Sequence, residues 1–128
     1  MARFQLDLLS SAQYVPEGTG VIALANDADP LDVSLEGVQR IDLHFPKFTD
    51  GRAFSQAHLL RKRRGFTGEI RATGDVLIDQ LVQMRRSGFS SAVLKDGQDA
   101  EHGRKLFERY AAFYQGDVDN LPLFQRAA

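Results

Sequence analysis

Ile41-Asp42-Leu43-His44-Phe45-Pro46, followed by Thr49-Asp50-Gly51-Arg52 and then by Gly65-Phe66-Thr67-Gly68-Glu69-Ile70-Arg71-Ala72, is the stretch whose reading decides the fold. Ile41 to Phe45 reads as a strand, and Pro46 stops it because proline has no amide hydrogen to donate. Thr49 or Asp50 can cap a helix over about 52–64, where Ala53, Ala57 and Leu60 recur at helical spacing. Gly65 stands where a helix end favours a left-handed residue, and Glu69 to Ala72 reads as the next strand. The grammar then repeats. Thr73 and Asp75 open a second helix with Leu77, Leu81 and Met84 on one stripe, Ile78 and Val82 widen that stripe, and Gly88 ends it.

Working outward, Val21 to Ala25 is a continuous apolar run between Gly20 and the turn formers Asn26 to Pro30, which predicts a buried strand. Residues 30–39 hold a weak helix or only a loop. Ala92-Val93-Leu94 is a fourth strand, Lys95-Asp96-Gly97 a turn, and a helix is predicted over about 99–114 with Leu106, Phe107, Tyr110, Phe113 and Tyr114 as its apolar stripe. Residues 1–19 and 115–128 read as less regular ends of a single 1–128 domain, the first an irregular start or edge hairpin and the second, with Pro122 and Phe124, loosely packed. Strands alternating with helices across short turns predict an α/β fold, a small and mainly parallel four-stranded sheet. Its form is either a three-layer sandwich or half of a βα barrel. A closed barrel takes eight such units over roughly 250 residues, so one chain cannot close it, although a dimer of half-barrels could.

The 128 residues carry 16 basic and 17 acidic side chains and no cysteine. The last fact excludes disulfides, thiolate metal sites, cysteine nucleophiles and dithiol redox pairs among these residues. The run Val21 to Ala25 is far shorter than the roughly 18 residues a membrane span needs, and Met1 to Asp7 lacks the apolar stretch of a signal peptide. The expectation is a soluble, cytoplasmic protein. Charge is unevenly spread: residues 1–46 hold two basic and seven acidic side chains, residues 47–86 nine and four, and residues 87–128 five and six. A basic band of this kind attracts an anionic ligand or an acidic partner surface, or else it is a solvated helix face. No nucleic-acid-binding motif accompanies it, so nucleic acid is not the expected partner.

In parallel α/β folds ligands gather at the carboxyl ends of strands, where helix N-termini point. That rule selects Pro46 to Arg52, Arg71 to Asp75, and Lys95 to Gln98. Each turn joins a basic residue, a glycine and a carboxylate. Lys47, Arg52 and Arg71 are the expected neutralisers of an oxyanion, with Thr49, Asp50, Gly51, Gly74 and Asp75 as the rest of the site. The competing reading makes Thr49, Asp50, Thr73 and Asp75 helix caps, and pairs Arg52 with Asp50 and Arg71 with Asp75. Neither a GxGxxG nor a GxxxxGK[ST] pattern occurs, and there is no GxSxG elbow. His44, His58 and His102 stand at no metal-ligand spacing, so no metal and no cofactor is expected. Asp50 and Asp75 are candidates for a carboxylate acid–base pair.

Phe45 to Arg52, Gln56-Ala57, Leu59-Leu60-Arg61, Gly65 to Ala72, Gly74 to Leu81 and Arg85-Arg86-Ser87-Gly88-Phe89 together resemble the bacterial domain-of-unknown-function family numbered nine-three-four. The resemblance covers about residues 41–95, and Gly20 to Ala25 and Asp27 to Pro30 also fit. It implies a place beside assimilatory sulfite reductase, where members are usually encoded and often labelled as oxidoreductases. Residues for oxidoreductase chemistry are missing here, and Ser87 stands where members often carry cysteine. The expectation is therefore an accessory protein of sulfite or sulfate reduction that binds an oxyanion or an anionic partner at the strand-end turns. The alternatives are a small βα-type lyase or isomerase using Asp50 and Asp75, and a protein docking on sulfite reductase through Phe107, Tyr110 and Tyr114. Homo-oligomerisation is left open.

Overall fold

Five strands pair in parallel in the order β1-β5-β4-β3-β2 in a computed structural model that describes residues 6–15, 18–47 and 49–114, the side chains of 110–114 excepted. They are β1 (Asp7–Leu9), β2 (Val21–Leu24), β3 (Arg40–Phe45), β4 (Glu69–Gly74) and β5 (Ser91–Val93). The helices are α1 (Arg52–Lys62), α2 (Leu81–Ser87) and α3 (Ala100–Tyr114), with 3-10 turns at Ser11–Gln13 and Ile78–Gln80. The sheet thus has five strands, not the four read from the sequence. The addition is β1, which pairs Asp7 to Leu9 with Ser91 to Val93 at the edge of the sheet. Three residues at an edge are too few to print an alternating pattern.

Steps from β2 to β3, β4 and β5 all run the same way across the sheet, and a right-handed crossover in one direction puts every helix on one face. Accordingly α1 packs on β3 and on α2, α2 on α3, and α3 on β1. The result is a five-stranded parallel sheet with its three helices on one face. On the helix face Ile41, Leu43, Phe45, Ile70, Ala72 and Ala92 are fully buried. Phe45 meets Phe54 of α1 edge-on with ring centroids 5.0 Å apart, and meets Phe89 at 5.8 Å. Helix α1 lies close because the side chains it turns inward are small, Ala53 and Ala57, flanked by Gln56 and Leu60.

One open sequence reading is decided and another shifts. Residues 30–39 form turns and no helix. Thr73 does not open the second helix. It belongs to β4, and the helical run begins with the 3-10 turn at Ile78 before α2 starts at Leu81. Hydrogen bonding explains this, because the amide of Asp75 still donates to the Phe45 carbonyl (2.8 Å), so the chain stays tied to β3 past Gly74. Gly65 (φ 64) follows α1 as expected. Of the predicted stripe on α3, Phe107 is buried, while the side chains of Tyr110, Phe113 and Tyr114 lie outside the described residues, as do Pro122 and Phe124.

Parity within the strands sends Arg40, Asp42 and His44 of β3, Glu69, Arg71 and Thr73 of β4, and Ser91 of β5 to the other face. Fully parallel sheets are ordinarily covered by helices on both sides and read as apolar throughout. Here the cover is the β1–β2 connection, which returns in the opposite direction and so crosses this second face. Ser11 Oγ donates to Asp96 beyond β5 (2.5 Å), and the Tyr14 hydroxyl donates to Asp42 Oδ2 on β3 (2.7 Å). Arg40 closes the strap by donating Nε to Asp42 Oδ1 (2.8 Å) and Nη2 to the Val15 carbonyl (2.7 Å), with its guanidinium 5.8 Å from the Tyr14 ring centroid. Alongside, Arg71 donates to Glu69 and to Ser91 Oγ, and Ser91 Oγ donates to Glu69 (2.6 Å). Burial works against ionised Glu69, yet the bonds from Ser91 and Arg71 hold its carboxyl below the ordinary range.

Burial, then the hydrogen bond to Asp42 and its negative charge, push the Tyr14 hydroxyl up from 10.0 to about 12. Because the folded chain holds this proton more tightly than the unfolded one, the strap's contribution is complete below about pH 10 and is lost as pH rises through about 12. In a tyrosinate absorbance titration, one of the three tyrosines is expected to ionise late. Asp42→Asn is expected to bring it back toward the normal range. Three coincident titrations in the native chain would show that the strap is not closed.

Candidate functional site

Asp50 organises the end of β3. Its Oδ1 accepts from the backbone amide of Arg52 (3.0 Å) and from Arg52 Nε (3.1 Å), while Oδ2 accepts from Arg52 Nη2 (2.7 Å) and from Asn26 Nδ2 (2.6 Å). The carboxylate therefore joins the loop after β2 to the start of α1. Gln56, one turn into that helix, fixes the same loop by donating to the Ala25 and Ala28 carbonyls at 2.8 and 2.9 Å. Hydrogen bonds from the Arg52 side chain and amide pull the Asp50 carboxyl down to about 2, and Asp50 in turn raises the Arg52 guanidinium. Since the folded chain holds the Asp50 proton less tightly, this contribution is present above about pH 4 and lost as pH falls through about 2.

At the ends of β4 and β5 the same device recurs. Lys95 Nζ lies 2.9 Å from Asp75 Oδ1, and the Lys95 amide donates to the Val76 carbonyl (3.0 Å), closing the loop against its neighbour. Exposure divides alike in both pairs. The Asp50 side chain is 16% exposed and Arg52 61%, while Asp75 is 18% exposed and Lys95 55%. At each site a mostly buried carboxylate holds a cation outward. Lys47, Thr49 and Gly51 are exposed on the same rim, and Phe48 lies outside the described residues.

Arg71 is the residue whose placement differs most from the sequence reading. It does not pair with Asp75 and does not join Lys47 and Arg52. Because β4 runs on to Gly74, Arg71 sits three residues below the strand end, roughly 10 Å at strand rise, and faces Glu69 and Ser91 under the strap. Lys95 holds the position beside Asp75 that Arg71 was expected to fill. Of the competing reading, caps and ion pairs, the pair of Arg52 with Asp50 is present, and Asp50 Oδ1 also accepts from the first amide of α1, whose cap position is Gly51.

The basic band is likewise sorted by the fold. Arg61 donates to the Phe66, Gly68 and Gly88 carbonyls, and Arg64 to those of Pro30 and Val33. These two guanidinium groups staple loops. Lys62, Arg63 and Arg86 are exposed. An acid–base role for Asp50 meets a plain obstacle, because both of its oxygens are engaged and it stays ionised down to about pH 2. His44, His58 and His102 are exposed and lie on three different elements, and no group of three or more His, Cys, Asp or Glu among the described residues could hold a metal ion. Phe107, one of the expected docking aromatics, is 5% exposed and so is committed to the core.

The sequence reading missed Asn26 as the second partner of Asp50, Lys95 as the partner of Asp75, and the whole polar sheet face. The last had a readable signal. Arg40, Asp42 and His44, and again Glu69, Arg71 and Thr73, stand at every second position of runs whose other residues are apolar or small.

The chain belongs to the family described as bacterial protein of unknown function (DUF934), whose model matches residues 21–124. No curated protein and no solved structure matches it. Among the described residues no helix is long and apolar enough to cross a membrane.

Proposed function

We propose that this chain is an accessory protein of sulfite reduction that engages an anionic partner surface through the cationic rim formed by Lys47, Arg52 and Lys95. The observation that carries the reading is the paired construction at neighbouring strand ends: partly buried Asp50 and Asp75 each fix an exposed cation in place. Cations held in this way lose little freedom on binding, which lowers the ordering cost that flexible surface side chains carry. The ends of β3 and β5 are two strand spacings, roughly 10 Å, apart. An extended acidic surface spans that separation better than one sulfate or sulfite ion. The link to sulfite reduction comes from the family resemblance.

Growth tests the pathway. Deleting the gene is expected to slow growth with sulfate as the sole sulfur source and to leave growth on cysteine unchanged; equal growth on both would remove the pathway from the reading. Titrating sulfate, sulfite and phosphate while following the melting temperature separates a partner from a free ion. A small, non-saturating rise of the kind general screening produces is expected. A saturating rise at millimolar sulfite would point to a discrete oxyanion site instead.

A further inference from the structure

Helix α2, seven residues long, packs between the eleven-residue α1 and the fifteen-residue α3. A groove of about 1190 Å³ lies there, lined by residues of all three helices and of the 3-10 turn at Ile78–Gln80. Its apolar lining is Phe54, Leu59, Ile78, Val82 and Leu106, all half-buried, with the buried Phe107. On the reading of Lys47, Arg52 and Lys95 as a partner site, on which this rests, we propose that the groove is the second half of the docking surface. It seats an amphipathic helical segment of the partner, with an apolar stripe between acidic ends.

Two observations favour that occupant. The first is continuity with the rim. Arg52, Ser55 and Leu59 stand at i, i+3 and i+7 of α1 and so share one stripe of the helix. Arg52 belongs to the rim, whereas Ser55 and Leu59 line the groove. On the other wall, Ile78 and Asp79 follow Asp75 by three and four residues. A segment held at Arg52 is therefore led along α1 into the groove. Grooves of this kind take an amphipathic helix by its apolar anchors at i, i+3 or i+4, and i+7. The second observation is charge. Among the described residues the charged side chains lining the groove are His58, Asp79 and Arg86, all exposed. Arg86 stands near the C-terminal end of α2, the end away from the strand-end rim. The groove thus has cations at both ends and an apolar floor between them, which matches carboxylates on either side of an apolar stripe. Asp79 opposes a uniformly acidic segment, so apolar burial is the larger contribution.

The probe is a synthetic fluorescein-labelled helical peptide with leucines at i, i+3, i+4 and i+7 and glutamates at both ends, titrated with the full chain. Its anisotropy is expected to saturate, and lysines in place of the glutamates are expected to weaken binding at least tenfold. Leu59→Ser with Val82→Ser is expected to weaken binding at least tenfold while leaving its salt dependence unchanged. Ser55→Glu with Gln83→Glu alters only exposed side chains that line the groove. It is expected to weaken binding comparably and to melt within a few degrees of the native chain. Arg52→Gln with Lys95→Gln is expected to weaken binding and to flatten its salt dependence. Loss in this rim variant alone would overturn the groove proposal and leave the rim reading standing. Loss in the two groove variants alone would keep the groove as the seat and remove the rim from the docking surface. A native chain that does not bind the peptide would overturn the proposal. So would a native dimer that the groove substitutions dissociate, which would seat a second copy there.

Discussion

Asp42→Ala is expected to lower the stability of the fold by about 3–5 kcal/mol, which for a chain of this size is a fall of roughly 10–20 °C in melting temperature. Asp42 is 2% exposed and accepts from Tyr14 and from two nitrogens of Arg40, itself 13% exposed. Removing the carboxylate leaves a guanidinium and a hydroxyl beneath the strap without their acceptor, and an unpaired buried charge costs far more than the pair contributes. The control separates these two effects. Arg40→Met combined with Asp42→Leu removes both charges at similar volume and is expected to recover most of the loss, since apolar replacement of a whole buried pair is often close to neutral. Thermal unfolding of the three proteins decides it. A single substitution costing under about 1 kcal/mol would mean that water reaches Asp42 and that the strap does not seal this face.

Gly74→Ala is expected to be comparably damaging, about 3–5 kcal/mol, for a different reason. Gly74 has φ 92, and a Cβ there would run into the Phe45 carbonyl and come within 2.6 Å of the His44 ring. The first of these is backbone of the neighbouring strand and cannot swing aside. Gly97 supplies the comparison, with φ 90 but no atom within 4 Å of its added Cβ. Gly97→Ala is therefore expected to cost only the conformational strain, about 1–2 kcal/mol. The difference between the two midpoints measures the close approach of β3 and β4 at the point where the chain turns to present Asp75. Equal losses would mean that the two strands are further apart at their ends.

How much of this was legible in the sequence follows from which interactions are local. The α1 unit could be read, because Pro46, the inward Ala53 and Ala57, and Gly65 each act through neighbours in the chain. So could the pairing of Asp50 with Arg52, two residues apart and geometrically favoured at a helix start. Lys95 with Asp75 could not. Those residues are brought together only by the adjacency of β4 and β5, and the nearer Arg71 offered a plausible but wrong partner until the length of β4 was known. Strand β1 was invisible because three edge residues carry no periodicity. The polar face was hidden for the opposite reason: its alternation was present in β3 and β4, but a parallel sheet is ordinarily covered by helices on both faces, and that expectation masked the period of two. What distinguishes the outer cations from the structural ones is also tertiary. In Arg61-Lys62-Arg63-Arg64, nothing but the positions of the Gly88 and Pro30 loops makes the first and last into staples and leaves the middle pair in water.

In the proposed function Arg52 and Lys95, each held outward by a partly buried carboxylate, bind an anionic partner. The most direct measurement is the affinity of the full chain for sulfite reductase across a salt series, compared with Arg52→Gln, Lys95→Gln. Exposed ion pairs contribute little to folding, so the double variant is expected to melt within a few degrees of the native chain. Its binding is expected to be at least tenfold weaker, and the native complex is expected to weaken steeply between about 50 and 200 mM salt where the variant weakens little. Binding that is indifferent to both salt and the two substitutions, or no binding at all by the native chain, would contradict a role for this rim in partner recognition.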